Sequence, residues 1–227
     1  MKALIIGGTK GFGKEISKMF IRKGYAVIII GRTKANKYNC DIQNSKEFKI
    51  TLQKIKNEHQ KGIDIIVFVV GFAEPKEYSQ ITEEDWFKSL KNNLVYVAQA
   101  IKELEVLLLK TKQPKVITIG SQWSYKLGNR YLIPYIVSKH ALRTLTLELA
   151  KDQKKIKYNH YCVPTMKTPG YSKVRKGFLK VDPKRFNLLP KANPKEIAKL
   201  LVEHIIINTA KGQTFVINRK VEKIRVP

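Results

Sequence analysis

Tyr135 and Lys139 stand four residues apart inside a stretch, Pro134 to Lys151, whose pattern reads as helix. Residues at that spacing share one helix face, so the phenol and the ammonium would lie together. A tyrosine hydroxyl titrates near pH ~10 and is a poor proton shuttle at neutral pH, but an adjacent cation favours its phenolate and eases proton exchange with a substrate oxygen. In a chain with 10 tyrosines and many lysines such a pair also arises by chance, so its surroundings must carry the weight. The segment before it, Ile117-Thr118-Ile119-Gly120-Ser121, is an apolar strand that ends on a hydroxyl. Ligands of open α/β sheets bind at the carboxyl ends of the strands, which is where Ser121 would stand.

A second group lies at the start of the chain. Gly7-Gly8-Thr9-Lys10-Gly11-Phe12-Gly13 follows one apolar run and opens a helical pattern. Glycines at 7, 11 and 13 let a backbone turn tightly, approach a pyrophosphate and pack a helix on a strand, with the helix N-terminus toward the anion. The bland alternative is a tight turn with no ligand. An NAD-binding unit usually carries an acidic residue at the end of its second strand, but this chain reads Gly31-Arg32 there. Arg32 can pair with a 2′-phosphate and Lys10 can add a second positive charge, so NADP(H) is the expected cofactor. An incidental surface arginine is the competing reading, and the missing acid is the stronger half of the argument.

Elements with alternating strand and helix length must position these groups. Strands are expected at Ala3 to Ile6, Tyr25 to Ile30, Ile63 to Val70, Lys115 to Ile119, Lys157 to Val163 and Thr214 to Ile217, with a short extra one ending at Cys40. Helices fit at about Gly13 to Lys23, Ser45 to Gln60, Thr82 to Lys110, Pro134 to Lys151 and Asn193 to Asn208. Thr82 three residues before Asp85, and Asn193-Pro194 with Glu196, supply helix starts. The alternation predicts an α/β fold, a Rossmann-like doubly wound parallel sheet of six or seven strands with helices on both faces. One domain over residues 1–227 would hold cofactor and substrate together. Thr165 to Lys191 shows no clear period and is expected to be a substrate-binding loop.

Taken in order, these pieces resemble the short-chain dehydrogenase/reductase family over essentially the whole chain. The resemblance is carried by Gly7, Gly11 and Gly13; Cys40-Asp41-Ile42; Asp64-Ile65-Ile66-Val67 leading to Gly71; Asp85-Trp86 and Asn93-Leu94; Thr118-Ile119-Gly120-Ser121; Tyr135-Ile136-Val137-Ser138-Lys139; and Gly212-Gln213. It implies that Ser121, Tyr135, Lys139 and Asn93 form the catalytic set. Ser121 would hydrogen-bond the substrate oxygen, Tyr135 would pass the proton, Lys139 would hold the nicotinamide ribose and Asn93 would hold a relay water. The implied cofactor contacts are Gly7, Thr9, Lys10, Gly11, Phe12, Gly13, Arg32, Asp41, Ile42, Gly71, Tyr135, Lys139, Pro164 and Thr168, with Asp41 at adenine and Thr168 at the carboxamide. Three departures stand out. The usual Asn-Asn-Ala-Gly is Phe68-Val69-Val70-Gly71, so an asparagine that fixes the central strands is missing. Fourteen positions separate Ser121 from Tyr135, one more than usual, in a loop holding Trp123 and Tyr125. The usual Pro-Gly becomes Pro164-Thr165.

Bulk properties bound the rest. The formal charge of +26 could signal nucleic acid or an acidic membrane surface, but lysines are spread over every segment without a concentrated arm, so no specific nucleic-acid partner is expected. Segment 165–191 is more basic still, with Lys167, Lys173, Arg175, Lys176, Lys180, Lys184, Arg185 and Lys191 against Asp182 alone. It predicts an anionic carbonyl or alcohol substrate, or an acyl group on an acidic carrier protein, against the alternative of a solvated loop. Trp123, Tyr125 and Tyr131 are candidates for an aromatic wall. Cys40 and Cys162 show neither disulfide nor metal-ligand spacing, and no metal site is expected. No apolar run reaches the ~20 residues of a membrane span, so a cytoplasmic protein is expected. The family resemblance implies a homodimer or homotetramer through the helices at Thr82 to Lys110 and Pro134 to Lys151. Against the enzyme stands a non-catalytic NADP(H)-binding sensor or regulator on the same fold. It gains from the missing asparagine and loses more from the retained Ser121, Tyr135, Lys139 and Asn93.

Overall fold

A computed structural model of the chain describes residues 1–186 and 192–224. Its centre is one eight-stranded sheet in the order β3-β2-β1-β4-β5-β6-β7-β8. The strands are β1 (Lys2–Ile6), β2 (Ala26–Gly31), β3 (Tyr38–Asn39), β4 (Ile65–Phe68), β5 (Lys115–Ser121), β6 (Lys157–Val163), β7 (Gln213–Ile217) and β8 (Val221–Ile224). All neighbours run parallel except β7 and β8, which pair antiparallel. The strand order reverses between β1 and β4, the switch point at which such sheets open a crevice.

Alternation along each strand feeds two cores. Leu4, Ile6, Ile66, Phe68, Val116 and Tyr158 face one side, packed by Leu52 of α2 (Ser45–Glu58), Leu104 of α4 (Tyr96–Leu108) and Leu142 of α5 (Ile133–Asp152). Ile5, Ile65, Val67, Ile117, Ile119 and Tyr161 face the other, against Ile16 and Phe20 of α1 (Gly11–Arg22) and Leu201 and Ile205 of α8 (Pro194–Ile207). This is the two-sided burial that the near-continuous apolar strands require.

Three expectations are corrected. The sheet has eight strands, not six or seven, because Asn218 donates its N–H to Lys220 O at 3.0 Å and turns the chain back along the β7 edge. Segment 165–191 is largely helix: α6 (Pro169–Val181) and the short α7 (Pro183–Phe186), while Lys191 lies outside the described residues. Tyr171, Val174, Phe178 and Val181 repeat at helical spacing and face inward, and Thr168 caps α6 by accepting from Tyr171 N at 3.2 Å. Gly177 within it is a contact, since a Cβ there would lie 2.6 Å from Pro75 Cδ. Finally, the helix expected from Thr82 to Lys110 is α3 (Glu83–Leu90), a π turn at Lys91–Val95 and α4. Such turns inside helices are frequent at functional sites.

Cys40 and Cys162 are buried free thiols. Among the described residues no cluster of His, Cys, Asp and Glu could hold a metal ion, and no helix is long and apolar enough to cross a membrane.

Candidate active site

The first turn of α5 carries Tyr135, and Lys139 follows one turn on, with its Nζ 5.9 Å from the centre of the Tyr135 ring. Pro134 in that first turn suits the place, where its missing N–H has no intrahelical partner to lose. Lys139 is 2% exposed and donates to Val70 O and to Ile119 O, each at 3.2 Å. Burial without a carboxylate partner brings its ammonium down to about 8. Tyr135 keeps part of its surface open, but its surroundings push the phenol above its ordinary value, while a side-chain hydrogen bond from Ser121 pulls it back. Burial thus favours the neutral form of both groups, and at neutral pH the lysine still carries its charge.

Ser121 ends β5 and starts a 3₁₀ turn over Gln122–Ser124. Its Oγ accepts from Trp123 N at 3.0 Å, and Ser124 Oγ accepts from Ser121 N at 3.2 Å. Asn93, fully buried in the π turn, accepts at Oδ1 from Phe72 N at 2.7 Å and donates from Nδ2 to Phe72 O at 2.8 Å and Ser138 Oγ at 2.9 Å. A Cβ built on Gly71 would lie 3.6 Å from Lys139 Nζ and 3.8 Å from Asn93 Oδ1. Ser121, Tyr135, Lys139, Asn93 and Gly71 therefore meet at the carboxyl ends of β4 and β5.

The glycine loop forms the neighbouring wall. Gly7 has φ +94°, and a Cβ at Gly13 would sit 2.1 Å from Gly7 O, so neither position admits a side chain without a shift in backbone. Lys10 stands exposed at the N-cap of α1 with no side-chain capping bond, leaving the first N–H groups of that helix to another partner. Thr9 packs its side chain where a Cβ on Gly31 would go, and Phe12 is buried in the core, so only its backbone faces the loop. Arg32 is exposed at the end of β2 and lies 3.6 Å from Asp41, with Ile42 beside it against the core. Thr33, which the sequence reading passed over, has a buried Oγ1 without a hydrogen-bond partner among the described residues. A hydroxyl next to Arg32 was the available signal. Pro164 follows β6, and Thr168 reaches the glycine loop, 3.4 Å from a Cβ built on Gly11.

Over these groups lies α6. Phe178 meets Tyr131 edge to face at 6.2 Å, in a cluster that also holds Trp123, Tyr135, Tyr171 and Val174. The structure brings Trp123 and Tyr131 into this aromatic wall. Tyr125 stands apart, with Lys126 Nζ 5.7 Å from its ring centre. Lys173, Arg175, Lys176 and Lys180 are exposed on the outer face of the helix, so α6 is apolar within and basic without.

Comparison with known proteins agrees with this architecture. A family model described as short chain dehydrogenase matches residues 1–177. The chain is similar to two 3-oxoacyl-(acyl-carrier-protein) reductases of Buchnera aphidicola strains. One is 32% identical over 165 residues (66% of this chain, 67% of that protein) and the other 29% over 164 (65% and 67%). Carbonyl reductase family member 4 of Xenopus laevis is 28% identical over 160 residues, 65% of this chain and 67% of its own length. Among solved structures, a variant of actinorhodin polyketide ketoreductase with NADPH superposes with a TM-score of 0.83 at 20% identity, covering 95% of this chain and 94% of that one. Aldohexose dehydrogenase of Thermoplasma acidophilum gives 0.79 at 22% identity, covering 95% and 91%. With the family model matched over most of its length and the sheet order to go with it, this chain belongs to the short-chain dehydrogenase family of oxidoreductases.

Proposed function

We propose that the protein interconverts a carbonyl compound and its alcohol with NADP(H), using Tyr135 as general acid and base. The observation that carries this reading is the convergence of Ser121, Tyr135 and the buried Lys139 at one sheet edge beside the glycine loop. The cradle fits a dinucleotide: the absent side chains of Gly7, Gly11 and Gly13 leave room for a pyrophosphate to approach the backbone at the start of α1. Thr9, Lys10 and the backbone of Phe12 complete that contact. The exposed Arg32 and Lys10 suit a 2′-phosphate. Asp41 and Ile42 would border adenine, and Gly71, Pro164 and Thr168 the nicotinamide end. When bound, the cofactor supplies or accepts a hydride.

The chain's own residues do the rest. Ser121 donates to the substrate oxygen, and Tyr135, held protonated, gives it a proton during reduction. Lys139 has three N–H donors, of which Val70 O and Ile119 O take two, so one remains for the ribose. Asn93 commits its side-chain amide to Phe72 and Ser138, so its part in the proposed proton relay is to hold that end of the site in place. The lid closes Tyr171, Val174 and Phe178 over the reacting group and excludes water. Its charged side chains are exposed to solvent. They suit attraction of an anionic substrate from solution, or of an acidic carrier bearing an acyl group, as in the names of the two Buchnera relatives. The exposed Val106 of α4 and Val137 of α5 suit pairing with a second copy.

The test is NADPH consumption with a panel of ketones and 3-oxoacyl thioesters. Tyr135→Phe should retain cofactor binding and lose about 10²- to 10⁴-fold in turnover. Near wild-type turnover in that variant, or no consumption with any carbonyl despite tight NADPH binding, overturns the reading.

A further inference from the structure

Beneath the Ser121 turn the core is polar, and the proposed mechanism leaves that layer without a role. Thr118, His160 and Thr214 stand side by side on β5, β6 and β7, and all three are buried. Arg143 and Thr146 continue the face of α5 that carries Lys139 and close on this row. Thr118 Oγ1 lies 2.7 Å from Thr146 Oγ1 and 2.8 Å from His160 Nδ1, while Arg143 Nε donates to Thr214 Oγ1 at 3.1 Å.

Donor accounting fixes the histidine tautomer. Thr146 gives its one hydroxyl proton to Leu142 O at 2.7 Å, so it can only accept from Thr118. Thr118 then has no proton left, and His160 must donate from Nδ1. Its Nε2 is a bare acceptor, buried and without a hydrogen-bond partner among the described residues. That atom fills the space beside Gly120: a Cβ there would lie 2.1 Å from His160 Nε2 and 2.3 Å from Ser124 Oγ. Gly120 does not have a positive φ, so it is glycine for room and not for conformation. The Ser124 hydroxyl at the same point is the one that accepts from Ser121 N.

We propose that His160 is a positioning residue for Ser121. The imidazole, locked by Thr118, occupies the volume that Gly120 leaves open and fixes the end of β5, so that the 3₁₀ turn aims Ser121 at Tyr135. The inference rests on the reading of Tyr135 as the proton carrier. Lys139, Arg143 and His140, all on α5, bear on the imidazole and with burial keep it neutral. Tyr135 is faced by Lys139 on its own helix, Ser121 on β5 and Cys162 on β6, whose thiol burial pushes up to about 12. Of these, the Ser121 bond is the one that His160 governs.

The experiment uses the full chain with NADPH and the best carbonyl from the panel, comparing His160→Ala, His160→Gln, Gly120→Ala and the Gly120→Ala/His160→Ala double variant. A loosened Ser121 should lower His160→Ala turnover about ten- to a hundredfold, with KM for NADPH little changed. It should also raise the kinetic pKa of Tyr135, because the bond that favours the phenolate weakens. His160→Gln, which can still donate to Thr118, should recover part of both. Gly120→Ala alone should be damaging, and the double variant should exceed it in turnover, since the added methyl enters vacated space. An unshifted kinetic pKa in the folded His160 variants, or losses that multiply in the double variant, overturns the proposal. If His160→Ala does not fold, the Gln and double variants decide by the same two readouts. Wild-type turnover in Tyr135→Phe would instead defeat the underlying reading, independently of His160.

Discussion

Replacing Lys139 by methionine should make the protein inactive and, at neutral pH, more stable. The ammonium is 2% exposed and is held at about 8 against an ordinary 10.5, with burial as the main cause. At ~1.4 kcal/mol per pH unit, that corresponds to ~3 kcal/mol of folding free energy. The unfolded chain keeps this proton up to pH 10.5 and the folded chain releases it near 8. Folding is therefore increasingly favoured as pH rises between those values, and below 8 the full cost stands. Methionine fills the channel without a charge but gives up the bonds to Val70 O and Ile119 O, each contributing about 1 kcal/mol net. Lys139→Met should therefore be more stable than wild type by ~1 kcal/mol at pH 7, and less stable by ~2 kcal/mol above pH 10.5. Urea unfolding followed by tryptophan fluorescence, at steps from pH 7 to 10.5, measures the difference, and the other lysines titrate alike in both proteins. A difference that stays constant within ~0.5 kcal/mol across that window would refute the reasoning, because it would mean that the buried ammonium is not perturbed.

Arg32→Asp should weaken NADPH binding about ten- to a hundredfold and favour NADH, as expected for loss of a charge-assisted contact of ~1.5 to 3 kcal/mol; titration of both cofactors checks it, and equal wild-type affinities would count against the 2′-phosphate assignment. Replacing Lys173, Arg175 and Lys176 together by glutamine should reduce turnover efficiency for an anionic substrate at low salt and leave a neutral one unchanged, with the gap closing as the Debye length falls from ~10 Å at 0.1 M toward ~3 Å at 1 M. No low-salt advantage for the anion in wild type would remove the steering role of the lid.

The glycine loop and the Tyr135–Lys139 pair were legible in the sequence because their constraints are local. A Cβ at Gly13 collides with Gly7 O six residues away, and one helical turn joins the phenol to the ammonium. The central strands were legible for the same reason: burial on both faces favours near-continuous apolar runs, as in β1 and β4. The helical form of segment 165–191 was missed because no clear period was read there, although Tyr171, Val174, Phe178 and Val181 keep the helical spacing. Pro169 sits harmlessly in the first turn of α6, and Gly177 answers Pro75, about a hundred residues earlier in the chain. β8 was missed because it is an edge strand with two exposed charged residues, held mainly by pairing to β7. The fit of His160 to Gly120 needs the β5–β6 register, which no local pattern reveals.

The missing asparagine after β4 bears on all of this. Without a side-chain amide in Val69-Val70-Gly71, the carbonyl of Val70 still needs a donor at the crowded end of the sheet. Lys139 supplies it, and with its second bond to Ile119 O it ties the exit of β4 to β5. Asn93 does the same one step later by clamping both the N–H and the carbonyl of Phe72. Two residues expected for chemistry thus also hold the strand ends in place. Tying the sheet through a buried ammonium costs stability at neutral pH, as Lys139→Met should reveal. The same burial keeps Lys139 aimed at the Tyr135 ring and brings its proton affinity toward the neutral range. A neutral amide at Phe68 or Val69 could help tie the strands, but it could not supply the positive charge beside Tyr135, so under the proposed mechanism the lysine would remain necessary even if the asparagine were restored.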